Sequence, residues 1–388
     1  MTGLEFLFFP ARERRPGRIF LRKRFLETTA LSPAALYDRW MVAMKERQHF
    51  LDVLRVAAAC AVVLMHTVTA VTDNMDMNPY PAAQKLFPAV RDLVSWCVPV
   101  FILISGYLFL RPDRNLTFGR MVTKYCRRIV LALFLFGVPY SWVELAVTEG
   151  GFRTGMLWQG IVNVLRRQSW AHMWYLYLIL FLYLLTPAIR WMLERVPKTA
   201  LYALAAALLF GSSILPFICQ LRGIPQTSAQ TAAGELIYLF YYLCGYFFAC
   251  SEKRRRGLRS FLICFSALLG VCAAILRFQG FPVQMAYNYP FTVLLSLCLF
   301  GAGLAWEGEK DGCPPKHAAF WAGAGKLCFG VYLIHPVFIN LAYKYFKVSP
   351  LTLWGGASLP LFYGAVLAVS FGGAWLLRRI PTLRRYVL

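Results

Sequence analysis

Negative charge is scarce in this sequence. Asp and Glu together number 18 in 388 residues, against 41 Lys and Arg, and charged residues of both signs make up only 15% of the chain. A soluble domain carries about a quarter. The net charge of +23 does not form a uniform basic coat. It falls into short clusters between apolar runs, which argues against a nucleic-acid binder and for an orientation signal in a membrane. None of the eleven cysteines pairs in a Cys-x-x-Cys, and no Cys/His spacing fits zinc. A metal site and structural disulfides are therefore not expected, and the cysteines read as small apolar packing residues. There is no Gly-x-Ser-x-Gly elbow, and no repeat of 20–50 residues. The longest expected outer loop, about residues 149–171, is too short for a soluble domain.

What is abundant is apolar sequence, 59% of the chain. Runs of helix length fall near 50–71, 88–110, 128–148, 172–191, 199–219, 234–250, 259–277, 288–306, 324–344 and 356–377. The expected fold is all-α: a polytopic membrane protein of about ten transmembrane helices with both termini cytoplasmic. In that arrangement the inner side collects Arg120, Lys124, Arg127 and Arg128, then Lys253–Arg256, then Arg378–Arg385, while outer cations such as Lys85 and Arg153 are scattered. Residues 1–47 differ from the rest. They hold a short apolar run and then ARERRPGRIFLRKRF, unlike a signal peptide. Two readings stay open: a poorly ordered basic cytoplasmic extension with a weak contact to membrane lipid, or an over-extended start with Met41 or Met44 as the true first residue. The domain itself is expected over 48–380, followed by a basic cytoplasmic tail, 381–388.

Five stretches carry candidate chemistry. In FLDVLRVAAACAVVLMHTVTAV, residues 50–71, Arg55 and His66 are eleven residues apart. That separation is about three helical turns, so both share one face roughly 16 Å apart, with Asp52 nearly on it. Such groups in a membrane helix should face a cavity. Arg55 either anchors an anion or pairs structurally with Asp52, and His66 is either a general base or a satisfied core histidine. In WCVPVFILISGYLF, residues 96–109, Pro99 and Ser105-Gly106 interrupt a helix, either for close packing or to line a cavity. RPDRNLTFGRMVTKYCRRIV, 111–130, is either positive-inside dressing or a phosphate cradle. His172, Trp174 and Tyr175 open a span and read first as an interfacial aromatic belt. His335 lies mid-span before Pro336, as a ligand group or as kink packing, and Glu144 is a lone acid near the outer end of the third span.

Six of these patterns occur in one order: LDVLR with His66, VPVFILISGYLF, KYCRRI, HMWYLYLILFLYLLTP, CGYFF and FGVYLIHP. Together, over about residues 47–380, they resemble the acyltransferase 3 family of integral membrane acyltransferases, and within it the single-domain glycan O-acetyltransferases. The resemblance implies transfer of an acyl group, usually acetyl, from cytoplasmic acetyl-CoA to a hydroxyl of an envelope glycan or lipid-linked sugar, at the bacterial cytoplasmic (inner) membrane. The family's Arg/Lys, ten residues, His motif is intact as Arg55 and His66. Its Arg-x-x-Arg is matched by Lys124 and Arg127, with Arg128 adjacent. Lysine keeps the charge but loses the bidentate fork. Arg111 and Arg114 make a second Arg-x-x-Arg, so the assignment stays open. The expected roles are donor binding by Arg55, Lys124, Arg127, Arg128 and Ser105, and catalysis by His66, His335 and Glu144. In this scheme His66 takes the acceptor's proton or accepts the acyl group, and His335 polarises the carbonyl or binds the acceptor. The rival class is a transporter or flippase for an acylated sugar or small acid, since ten helices with midplane polar groups suit that too.

Overall fold

The computed structural model describes residues 48–114, 116–251, 258–279, 286–309, 317–352 and 354–388. The basic stretch 1–47, Cys313 and the cluster Lys253–Arg256 lie outside them. Among the described residues every regular element is helical. In chain order the helices are α1 (His49–Asn74), α2 (Pro81–Leu93), α3 (Cys97–Phe109), α4 (Arg127–Thr148), α5 (Gly155–Leu165), α6 (Trp174–Arg195), α7 (Lys198–Leu209), α8 (Leu215–Leu221), α9 (Ser228–Gly234), α10 (Ile237–Cys250), α11 (Leu258–Phe278), α12 (Pro290–Glu309), α13 (Ala318–Gly325), α14 (Cys328–Asn340), α15 (Leu359–Leu377) and α16 (Pro381–Tyr386). Among the described residues nine helical segments of 18 residues or more are apolar enough to cross a bilayer, α2–α3, α7–α8 and α9–α10 each counting as one. A tenth forms if α13 and α14, bent by 57°, act as a single broken span. The chain is thus a multi-pass membrane protein. Large apolar side chains such as Phe261, Leu268, Val271 and Ile275 on α11 face outward, where lipid replaces water.

Helix α1 is the hub and packs against α2, α3, α12, α13, α14 and α15. Alanines 58, 59 and 61 and valines 62 and 63 give it a small, buried surface, so six neighbours can approach. Its first turn begins inside the protein, where the unpaired N–H groups of a helix start need acceptors. Glu307 of α12 supplies them: its carboxylate accepts from His49 N at 3.2 Å and Phe50 N at 3.0 Å. A carboxylate there also complements the helix dipole. The far end of α3 is capped in the opposite sense. Arg190 of α6 donates to the carbonyls of Phe109, Arg111 and Arg114 at 2.9–3.0 Å.

The tightest helix contact is α3 against α10. Two glycines permit it. A Cβ on Gly106 would lie 2.1 Å from the Tyr242 carbonyl oxygen, and one on Gly245 would lie 2.4 Å from the Tyr107 nitrogen. Both neighbours are backbone atoms, which cannot swing away. The Ser105-Gly106 interruption therefore serves close helix packing. We expect Gly245→Ala to cost about 1–3 kcal/mol, the usual price of overpacking, and to lower the melting temperature in detergent. Gly364→Ala, where nothing lies within 4 Å, should leave it unchanged.

Candidate active site

Three imidazoles from three helical segments meet inside the bundle. His66 comes from α1, His335 from α14, and His172 from the single turn Ala171–Met173 that leads into α6. The His66 ring centroid is 5.1 Å from that of His335 and 6.4 Å from that of His172, and the latter two are 5.7 Å apart. His172 and His335 are buried, and His66 is half-buried beside a cavity.

The sequence His335-Pro336 fixes one ring. Pro336 has no N–H, so the carbonyl of Tyr332, one turn back, loses its usual helical donor. His335 Nδ1 lies 2.9 Å from that oxygen and 3.0 Å from the Val331 oxygen. A lone pair cannot face two carbonyl oxygens, so Nδ1 carries the hydrogen. In the neutral ring Nε2 is then an acceptor, and it is buried without a hydrogen-bond partner among the described residues, as is His172 Nε2. His172 is held by its backbone, whose carbonyl accepts from the Tyr332 hydroxyl. Tyr140 stacks on Trp170 at 4.3 Å and donates to the Leu333 carbonyl, closing the cluster from α4. A neutral ring so bonded has no further hydrogen to donate. Its Nε2 can accept one from a hydroxyl.

On one side of the cluster lies a cavity of about 440 Å³, within the usual range for small-molecule sites, about 300–1,000 Å³. His66 and His172 form its inner wall. Eight of the other seventeen lining residues carry a hydroxyl or an amide, among them Thr69, Ser141, Asn163, Gln168 and Asn340. Glu144 is on this wall too, but it is half-exposed and paired with Lys344 at 3.5 Å.

The other side leads to the basic end of the bundle. Arg55 donates to Asp52 at 3.0 Å, and Asp52 is buried, so the pair presents a guanidinium at a fixed place. Arg111 is engaged by Asp113, and Arg114 by the Leu108 carbonyl and the Tyr125 hydroxyl. Lys124 and Arg127 are exposed, whereas Arg128 turns inward over Phe329, 5.1 Å from its ring centroid. Of the two Arg-x-x-Arg-like pairs, 124/127 is thus the one left exposed. Phe329, Tyr332 and His335, three residues apart on α14, continue a line of rings from Arg128 to His66. Ser105 is buried and donates to the Phe101 carbonyl at 3.0 Å, beside the Tyr183 ring. Tyr183 stands within electrostatic reach of both Arg55 and Arg128.

His172 is the main site residue that the sequence reading undervalued. Its place at the start of a span suggested an aromatic belt at the membrane surface. Instead Trp174 packs on Tyr238 and Tyr287, Tyr175 packs on Phe101 and Tyr332, and His172 turns to the other histidines. The paired HMWY and YLIHP motifs were the available signal. Among the described residues no three His, Cys, Asp or Glu side chains are arranged to hold a metal ion, and all ten cysteines are free.

A cluster of imidazoles thus lies between a basic end and a polar cavity. A family model described as an acyltransferase domain, Acyl_transf_3, matches residues 48–379. The chain belongs to this acyltransferase 3 family and is a membrane acyltransferase. No curated protein and no solved structure matches it.

Replacing Pro336 by Ala restores an N–H that competes with His335 Nδ1 for the Tyr332 carbonyl. We expect the acyl-transfer rate to fall about tenfold, the scale of a misplaced acid–base group. The detergent melting temperature should not fall, because a helix-interior proline is itself unfavourable. Unchanged turnover would show that the ring does not need this bond.

Proposed function

We propose that the protein is an O-acyltransferase of the bacterial inner membrane. It takes an acyl group, acetyl as the simplest, from cytoplasmic acyl-CoA and passes it to a hydroxyl of an envelope glycan or lipid-linked sugar. The observation that carries this reading is the position of His66. It lies on the wall of a cavity rich in hydroxyls and amides, about 16 Å along an unbroken helix from Arg55. Amide and hydroxyl side chains suit a polyhydroxylated acceptor. Guanidinium and ammonium groups suit the donor's phosphates.

In this scheme Lys124 and Arg127 meet the nucleotide end of the donor at the surface, and Arg55, with Asp52 holding it, takes a phosphate deeper in. The pantetheine arm runs past Ser105 and the α14 rings. The thioester carbonyl arrives beside His66, and the acceptor hydroxyl enters from the cavity. His66 removes the hydroxyl proton as the oxygen attacks the carbonyl carbon. The tetrahedral intermediate collapses, the C–S bond breaks, and the proton passes from His66 to the departing thiolate. His335 Nε2 accepts a hydrogen bond from the acceptor or from the neighbouring imidazole, and His172 completes the wall. Glu144, paired with Lys344 at the cavity, positions the acceptor and takes no part in proton transfer.

The test uses inner-membrane vesicles supplied with radiolabelled acetyl-CoA. Wild type should label a glycan or lipid-linked sugar fraction, and His66→Ala should not, while remaining folded and binding CoA. Arg55→Ala should raise the apparent KM for donor about tenfold or more, one lost charge-assisted contact, with a smaller effect on kcat. Full activity in His66→Ala would overturn the scheme. A wild type that labels nothing from any short acyl-CoA, with acceptor present, would favour transport of an acylated sugar.

A further inference from the structure

Arg128 has a binding partner that the donor scheme does not use. Its Nε donates to the Val387 carbonyl at 2.6 Å and its Nη2 to the Leu388 oxygen at 2.8 Å. These two atoms form one fork edge of the guanidinium, the edge that grips a phosphate bidentately. Arg378, at the end of α15, donates to the same Leu388 oxygen at 2.6 Å and to the Lys326 carbonyl at 3.1 Å. The Val387 and Leu388 nitrogens both donate to the Leu383 carbonyl, which turns the segment back under α16. Val387 and Leu388 are buried although they follow a helix with no buried residue. Leu388 fits against Gly330, where a Cβ would sit 3.5 Å from its Cδ2. The Tyr386 ring lies between the guanidiniums of Arg127 and Arg385, at 5.5 and 5.3 Å.

With the fork edge taken, Arg128 keeps its Nη1 edge, its face over Phe329 and its reach to Tyr183. We propose that Tyr386–Leu388 is a positioning element of the donor site. The Val387 carbonyl and the Leu388 oxygen hold Arg128 so that the remaining edge points along the line of rings that leads to His66, and Tyr386 steadies Arg127 beside it. The segment is more than 250 residues away in sequence from Arg128, and no hydrogen bond or ring contact ties it to the three histidines. Its loss should therefore weaken donor binding and spare the acyl-transfer step. This inference rests on the reading that the basic end takes acyl-CoA.

The experiment uses the purified full chain in detergent and two variants, one lacking Val387 and Leu388 and one carrying Arg378→Gln. CoA affinity is measured by titration calorimetry, folding by thermal melting, and kcat at saturating acetyl-CoA. The deletion should weaken CoA binding roughly tenfold, the scale of one misdirected charge-assisted hydrogen bond, with kcat within about twofold of wild type. Arg378→Gln loosens the segment without removing it and should weaken binding in the same direction by less. A folded deletion variant with unchanged affinity would reduce the segment to packing. Tighter binding would make it a plug that competes with the donor. Either result overturns the proposal. If the deletion does not fold, an unchanged affinity in Arg378→Gln overturns it alone. A wild type that binds no CoA would remove the donor reading itself, a separate failure that the same titration detects.

Discussion

An imidazole inside a membrane bundle must find polar company, because lipid and packed side chains offer none. Here the company is two other imidazoles and a polar cavity. The rest of the structure is arranged to make that possible. The small residues of α1 let six helices close around it. The proline after His335 frees a carbonyl that locks one ring. The turn before α6 brings His172 inward and holds it through Tyr332. Each device is local, and each bears on the same cluster of three rings.

Charge is managed with the same economy. The chain has few acids, and several of them are committed to structure: Glu307 caps α1, Asp52 holds Arg55, and buried Asp92 of α2 meets Arg277 of α11 at 3.5 Å. The arginines divide as well. Arg190 and Arg114 bind backbone carbonyls, so they fix the turn after α3. Lys124 and Arg127 stay at the surface, and Arg55 and Arg128 point inward. A basic loop in a membrane protein is thus not one feature. Some of its charges build the fold, and others stay exposed at the surface.

Much of this was legible in the sequence. Ten apolar runs gave the helical order, with α13–α14 as the one broken span, and the eleven-residue step from Arg55 to His66 gave a shared face because α1 is unbroken. Glycine and proline positions gave the interruptions. What a single sequence could not supply was convergence in space. His172 is more than 100 residues from His66 and more than 160 from His335, and nothing in its own helix periodicity marks it as a partner. The tie between Arg128 and residues 387–388 was hidden for the same reason: backbone oxygens leave no trace in residue types. The role of Glu144 was also open, since only the fold reveals Lys344 beside it.

The account stands or falls on a donor and an acceptor that approach His66 from opposite ends of the bundle. Sealed membrane vesicles of known orientation test this directly. Radiolabelled acetyl-CoA is supplied outside inside-out and right-side-out vesicles that contain the acceptor, and the label on glycan is then probed with a hydrolase that cannot cross the membrane. The account predicts label only in the inside-out vesicles, on glycan that the hydrolase cannot reach. Label in right-side-out vesicles alone, or on glycan exposed on the same face as the donor, would contradict it.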